Sequence, residues 1–294
     1  HVSRSMDNGY TSSQFGGGAF GDVVVPGNYD GDKKIDYAVF RNGVWYILNS
    51  SNGSARIVSF GLAGDLPIPG DFDGDGKNDI AVFRPSDGNW YVLRSSDGAF
   101  DARHFGLNGD VPLAGDFDGD GKTDLAVWRP NGGVWYVMQS TDGNMATVQF
   151  GQNGDMPLVG DFDGDKKTDF TVYRPSNGVW YVMQSSDFSF RFTSWGNATD
   201  KPVPGDYDHD GKTDHAVFRA SEGNWYILKS SNGSYNVTHF GSNGDIPVPG
   251  DYDADGFADT AIFRPSALTW YINKSGGGTD ILPFGAAGDK PIPG

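Results

Sequence analysis

The chain has 294 residues, a formal charge of −16, no cysteine, and only one glutamate, Glu222, among its 38 acidic residues. No disulfide framework or thiolate metal site can therefore form, and nucleic acid is not an expected partner, because binding it needs Lys and Arg to replace counterions. No apolar run approaches the ~20 residues of a membrane-spanning helix, so direct membrane insertion is not expected either.

The chain is a repeat, and the repeat decides the fold. Trp45, Trp90, Trp135, Trp180, Trp225 and Trp270 are each followed by a tyrosine, at a constant step of 45 residues. Residues 1–16 align on residues 91–106, with Arg4 on Arg94, Asp7 on Asp97 and Phe15 on Phe105, so they read as the last two strands of a unit. Residues 22–289 hold six full units.

Residues 66–107 are typical of a unit. Leu66, Pro67, Ile68, Pro69 and Gly70 form a short apolar run, and an acidic loop follows over residues 71–79. Ile80 to Arg84 is β-branched and aromatic, and Pro85-Ser86-Asp87-Gly88 is a turn. Trp90 to Arg94 is a further strand, Ser95-Ser96-Asp97-Gly98 a second turn, and residues 100–105 alternate as a fourth strand. No helical periodicity occurs. Four short strands in a period of about 45 residues describe a propeller blade.

The last residues, 290–294, repeat the Pro67-Ile68-Pro69-Gly70 run as Pro291-Ile292-Pro293-Gly294 and read as the first strand of a unit. The expectation is thus an all-β, single-domain β-propeller over residues 1–294. It has seven blades, the seventh split between residues 1–16 and 290–294 and lacking its metal loop and second strand. An incomplete blade would offer a strand edge for self-assembly.

Six loops share one spacing, with an acid or its amide at positions 1, 3, 5 and 9. They are Asn28, Asp30, Asp32 and Asp36; Asp71, Asp73, Asp75 and Asp79; Asp116, Asp118, Asp120 and Asp124; Asp161, Asp163, Asp165 and Asp169; Asp206, Asp208, Asp210 and Asp214; and Asp251, Asp253, Asp255 and Asp259. Three acids in the first loop and four in each other loop make 23 of the 38. Carboxylates this dense repel one another unless a cation sits among them. Calcium takes six to eight oxygens with tolerant geometry, whereas magnesium keeps its waters and a strict octahedron. About six Ca²⁺ per chain would bring the formal charge from −16 to −4, which accounts for the acidity. Glycine at position 6, as in Gly76, Gly121, Gly211 and Gly256, permits the turn. Lys33 and Lys166 replace it, and Asn28 removes a charge, so the first and fourth loops are expected to bind more weakly. A strand follows each loop and no Glu stands at position 12, which separates the loops from helix–loop–helix calcium hands.

Phe60-Gly61, Phe105-Gly106, Phe150-Gly151 and Phe240-Gly241, the Pro-Gly before loops and the Asp-X-Asp-X-Asp-Gly loop together resemble FG-GAP (VCBS-type) repeats, the blades of integrin alpha-subunit propellers and of many bacterial exported proteins. That resemblance implies calcium between the first two strands of each blade, extracellular placement (secreted or cell-surface), and a ligand surface on the ring face opposite the calcium loops.

An arginine ends each second strand (Arg41, Arg84, Arg129, Arg174, Arg219, Arg264), and an aspartate sits in each linker (Asp22, Asp65, Asp110, Asp155, Asp200, Asp245, Asp289). Bidentate pairing of the two would lock blade to linker. No Ser–His–Asp grouping or nucleophile motif occurs. The functional expectation is a non-enzymatic binding or adhesion module for a protein or glycan ligand. A structural subunit of an extracellular assembly is the alternative. A polysaccharide-lyase-like enzyme is the weaker one, because such sites break repeat symmetry with a unique cluster of basic and acidic residues.

Overall fold

The computed structural model describes residues 2–3, 10–11, 23–267, 269–283 and 290–291. Among them are six antiparallel blades, each of four strands ordered as in the sequence. Blade 1 consists of Val23–Val24, Tyr37–Arg41, Val44–Leu48 and Ala55–Ser59. Blade 2 consists of Leu66–Pro67, Ile80–Arg84, Asn89–Leu93 and Phe100–His104. Blade 3 is Val111–Gly115, Asp124–Arg129, Val134–Met138 and Met145–Gln149, and blade 4 is Met156–Leu158, Phe170–Arg174, Val179–Met183 and Phe190–Ser194. Blade 5 is Lys201–Pro202, His215–Arg219, Asn224–Leu228 and Tyr235–His239, and blade 6 is Ile246–Pro247, Thr260–Arg264, Thr269–Asn273 and Thr279–Pro283.

Burial explains the composition of each strand. The second strand is covered on both faces, so it is a continuous apolar run; Ile80 to Phe83 are all buried. The third strand alternates, burying Trp90 and Val92 while Tyr91 is half-buried. The outer strand is mostly exposed. Every tryptophan of the 45-residue series is fully buried. Trp45, Trp90, Trp135, Trp180 and Trp225 donate their indole N–H to a main-chain carbonyl at the end of the outer strand, at 2.8–3.0 Å. The Trp-Tyr pairs thus belong to packing, as buried indoles with a satisfied N–H do.

The expected seventh blade does not form: the ring closes on six. Six core clusters fill six blade interfaces. The closing one packs Val24 and Val39 of blade 1 against Phe263, Trp270 and Ile272 of blade 6. The main chain repeats the closure. Asn78, Thr123, Thr168, Thr213 and Ala258 each donate an N–H to the first residue of the preceding blade's acidic loop, at 2.6–2.7 Å, and Ile35 makes the same bond to Asp251 at 3.3 Å. Blade 6 therefore meets blade 1 as any neighbours meet. Lys290–Pro291, expected as the first strand of a further blade, instead adds in parallel to Val23–Val24. Val2–Ser3 pairs with Tyr10–Thr11 as a hairpin, and the rest of residues 1–16 and 292–294 lie outside the described residues. The physical reason is that the terminal pieces lack a second strand, the element that carries core on both faces, and so cannot make a wedge between blades. Self-assembly through an unfinished blade falls with this correction.

Thr171, Thr260 and His215 depart from the apolar pattern of the second strands. His215 stands where Ile80 and Leu125 stand in their blades, between Phe162 and Trp180 with ring centroids at 5.0 and 5.3 Å. Its Nε2 is buried without a hydrogen-bond partner, and burial pushes the imidazole down to about 4 from 6.5. A histidine depressed in the folded state leaves stability intact above pH 6.5 and removes it as pH falls toward 4, on the order of 2–3 kcal/mol. His215→Leu is expected to raise the thermal midpoint at pH 7.5 and to widen its advantage at pH 5. Calcium-saturated melts at the two pH values check this; a constant difference would contradict it.

Candidate metal centres and the linker-face ion pairs

Each acidic loop joins the first and second strands of its blade, so all six lie on one face of the ring. In the second loop Asp71 organises the turn: Oδ1 accepts from the N–H of Gly74 at 2.7 Å, and Oδ2 from that of Gly76 at 2.8 Å. Asp79 is fully buried and accepts from the N–H of Phe72 and of Ser95, at 2.9 and 2.6 Å. Asp73 and Asp75 take the hydroxyls of Ser96 and Ser95, at 2.6 and 2.9 Å. A carboxylate oxygen that accepts one N–H keeps a further lone pair for a cation.

The predicted residues converge in most loops. Carboxylate oxygens of Asp30, Asp32 and Asp36 lie within 4.8 Å of one another, as do those of Asp71, Asp73 and Asp79, of Asp116, Asp118 and Asp124, of Asp161, Asp163 and Asp169, and of Asp206, Asp208 and Asp210. These are clusters able to hold a metal ion. Asp75, Asp120 and Asp165 stand beside their clusters, turned to serine hydroxyls at 2.9–3.0 Å. Asp214 closes the fifth loop by accepting from Tyr207 and Ser230. In the sixth loop Asp251 accepts from Ala254, Asp255 and Gly256, and Asp259 from Tyr252 and Ser275. Asn28 keeps the turn by accepting from Gly31, but its amide nitrogen donates to the Gly76 carbonyl at 3.4 Å, so the first loop offers one oxygen fewer.

Two observations fit these donors to a cation. Asp208 Oδ1 and Asp253 Oδ1 are buried and have no hydrogen-bond partner, an arrangement that costs free energy until something positive arrives. Lys33 and Lys166 hold left-handed backbone at φ 72° and 71°, keeping the loop shape without the glycine that favours it.

Residues outside the acidic loop complete the centre, and the sequence reading did not anticipate them. Ser50 and Ser51, Ser95 and Ser96, Ser140 and Thr141, and Ser185 and Ser186 cap the third-position and fifth-position carboxylates from the turn before the outer strand. Their signal was a hydroxyl pair five residues after the repeating tryptophan in five of the six units. In blade 6 the second hydroxyl is missing, because Gly276 stands there. The effect is electrostatic. Burial raises the pKa of Asp73, but the Ser96 hydroxyl and main-chain donors overcome it, and the net shift is downward. Asp253, without that hydroxyl, is raised by burial and by the charges of Asp255 and Asp251. A Cβ on Gly276 would lie 3.1 Å from Asp253 Oδ2 and 3.2 Å from Asp255 Oδ2, so a serine brings its hydroxyl to these carboxylates once they give by a few tenths of an ångström. Gly276→Ser is expected to raise the midpoint of the metal-free protein by about 1 kcal/mol of stability, and to change the calcium-saturated midpoint much less. Paired melts check the difference.

On the opposite face the recurring arginines and aspartates meet. Asp65 takes Arg84, Asp110 takes Arg129, Asp155 takes Arg174, Asp200 takes Arg219 and Asp245 takes Arg264, each through Nε and Nη2 at 2.7–2.9 Å. Each of these guanidiniums also lies over the tyrosine that follows the tryptophan, 4.3–4.7 Å from the ring centroid. Asp22 and Asp289 lie outside the described residues.

Comparison with known proteins agrees with this architecture. No curated protein sequence matches the chain. Among solved structures, an Agrocybe aegerita lectin described as recognising non-reducing terminal N-acetylglucosamine superposes with a TM-score of 0.61 at 16% identity, over 90% of this chain and 80% of the lectin. Virginiamycin B lyase from Staphylococcus aureus gives 0.58 at 11% identity, over 90% and 84%. A chain of the Mitotic Checkpoint Complex gives 0.56 at 10% identity, over 100% and 92%. These identities speak to the fold alone. Residues 116–172, spanning the third acidic loop through the second strand of blade 4, match the model of the FG-GAP-like repeat.

Proposed function

We propose that the chain is a calcium-loaded binding module acting outside the cell, with its metal loops on one face and a protein or glycan ligand held on the other. The observation that carries the calcium reading is the set of equivalent aspartate clusters, together with the unpartnered buried oxygens of Asp208 and Asp253. Aspartates at positions 1, 3, 5 and 9 would hold the ion, and the ion would supply positive charge where the fold collects carboxylates. Sites of short oxygen side chains on exposed loops suit the roughly 10⁻⁴–10⁻³ M affinities of extracellular calcium modules. Extracellular placement draws support from the match of residues 116–172 to the FG-GAP-like repeat, a unit that the sequence likens to the blades of exported propellers. A glycan ligand draws support from the lectin of the same fold. The reading involves no catalytic step.

The test is binding of the calcium-saturated chain to a glycan array and to extracellular-matrix proteins, repeated after chelation. Saturable, calcium-dependent binding supports the module. Absence of binding on both panels, with calcium content intact, would overturn the adhesive part of the reading while leaving the metal sites standing.

A further inference from the structure

The innermost strands line the axis of the ring, and their first residues form one layer near the linker face. Val23, Leu66, Val111, Met156, Lys201 and Ile246 are equivalent by register: each pairs with the residue just before the arginine that ends its blade's second strand. Five are apolar. Leu66, Val111 and Met156 are 36–43% exposed, an unusual state for large apolar side chains at the centre of a fold. Lys201 alone breaks the pattern. Lys290 stands opposite Val23 through the parallel pairing described above, which brings a second lysine position to this layer.

A cavity of about 630 Å³ opens here, lined chiefly by Val111, Met156, Leu158, Lys201, Ile246 and four prolines. That volume falls within the ~300–1,000 Å³ of small-molecule sites, which are mostly apolar with a few polar anchors. The charges around it are already matched, with one exception. Asp110, Asp155, Asp200 and Asp245 are each taken by an arginine. Lys201 is half-buried; its main chain pairs with Phe218, but its ammonium makes no hydrogen bond or ion pair with a described residue. Burial lowers its pKa and the charge of Asp245 partly restores it. An ammonium held out of water beside apolar walls gains from an anion that brings its own apolar surface.

We propose that the linker-face mouth of the axial channel binds a small amphipathic carboxylate, with Lys201 taking the carboxylate and Val111, Met156, Leu158 and Ile246 taking the apolar body. The proposal rests on the binding-module reading and names a ligand class for the face that reading assigns. Lys201 breaks the repeat's symmetry as a specific site requires, whereas a structural role would be served by another aliphatic residue.

Decanoate and decanol are suitable probes, titrated calorimetrically into the full calcium-saturated chain. Wild type is expected to bind decanoate saturably at one site. Lys201→Met should weaken decanoate roughly tenfold or more, the scale of one charge-assisted hydrogen bond, while leaving decanol nearly unchanged. Met156→Glu should remove both. Phe192→Ser, on the exposed outer strand of blade 4, should change neither. Calcium content and thermal midpoint are recorded for every variant, so that loss of the metal or of the fold is seen separately from loss of the ligand. No saturable binding by a folded, calcium-replete wild type overturns the proposal. So does equal decanoate affinity in Lys201→Met, and so does loss of binding in Phe192→Ser.

Discussion

Stripping calcium with EGTA is expected to lower the thermal midpoint by about 20 °C or more, with five or six calcium ions per chain counted before chelation. A ligand present at a hundredfold above its Kd adds roughly 2.7 kcal/mol per site. Six such sites together exceed the ~5–15 kcal/mol by which a domain is ordinarily stable, and for a chain this long each kcal/mol moves the midpoint by roughly 2–4 °C. The structural cause is repulsion among oxygens gathered within 4.8 Å in loop after loop. The serine and main-chain donors offset part of it, and Asp208 and Asp253 show where they do not suffice. Asp73→Asn should then cost one ion and about 2–3 kcal/mol in calcium, and little without it. An unchanged midpoint with less than one calcium per chain would end the metal reading.

The second large effect belongs to the opposite face. Asp65→Ala is expected to destabilise the calcium-saturated protein by about 3 kcal/mol. Asp65 accepts three bonds: two from Arg84, both at 2.8 Å, and one from the N–H of Leu62 at 2.8 Å. Its side chain is 2% exposed and that of Arg84 20%, so deleting the carboxylate leaves a main-chain donor unpaired and a mostly covered guanidinium with only a 3.9 Å contact from Nη1 to Asp87. Partial solvation of Arg84 keeps the cost at the low end of the range for buried pairs. Asp65→Ala with Arg84→Leu should recover about 1–2 kcal/mol, because two absent charges cost less than one stranded charge. Denaturant melts of the four proteins of this cycle measure it, and simple additivity would show that the pair is ornamental to stability.

The period of 45 residues made much of this legible. Strand order, the buried tryptophans, the acidic loops and the Arg–Asp pairs all repeat, and a residue type recurring in register has one structural reason to recur. Closure was not legible. Residues 1–16 match a unit's last strands as text, but whether blade 6 meets blade 1 depends on contacts such as Val39 against Phe263, which no local pattern encodes. Ser95 and Ser96 were overlooked because serine in a turn needs no further explanation. Lys201 left no such trace for the opposite reason: among the six blades a lysine stands at its position only once, so no recurrence marks it.

The bonds that run from each acidic loop to the one before it return to their starting point, Ile35 to Asp251. An open stack of repeats has ends, and its outermost unit can fray at the cost of one neighbour contact. A closed hoop has no such end, so releasing any blade breaks two junctions at once. The consequence is persistence: such a molecule should survive long exposure to proteases because its first opening is slow, even where its equilibrium stability is unremarkable.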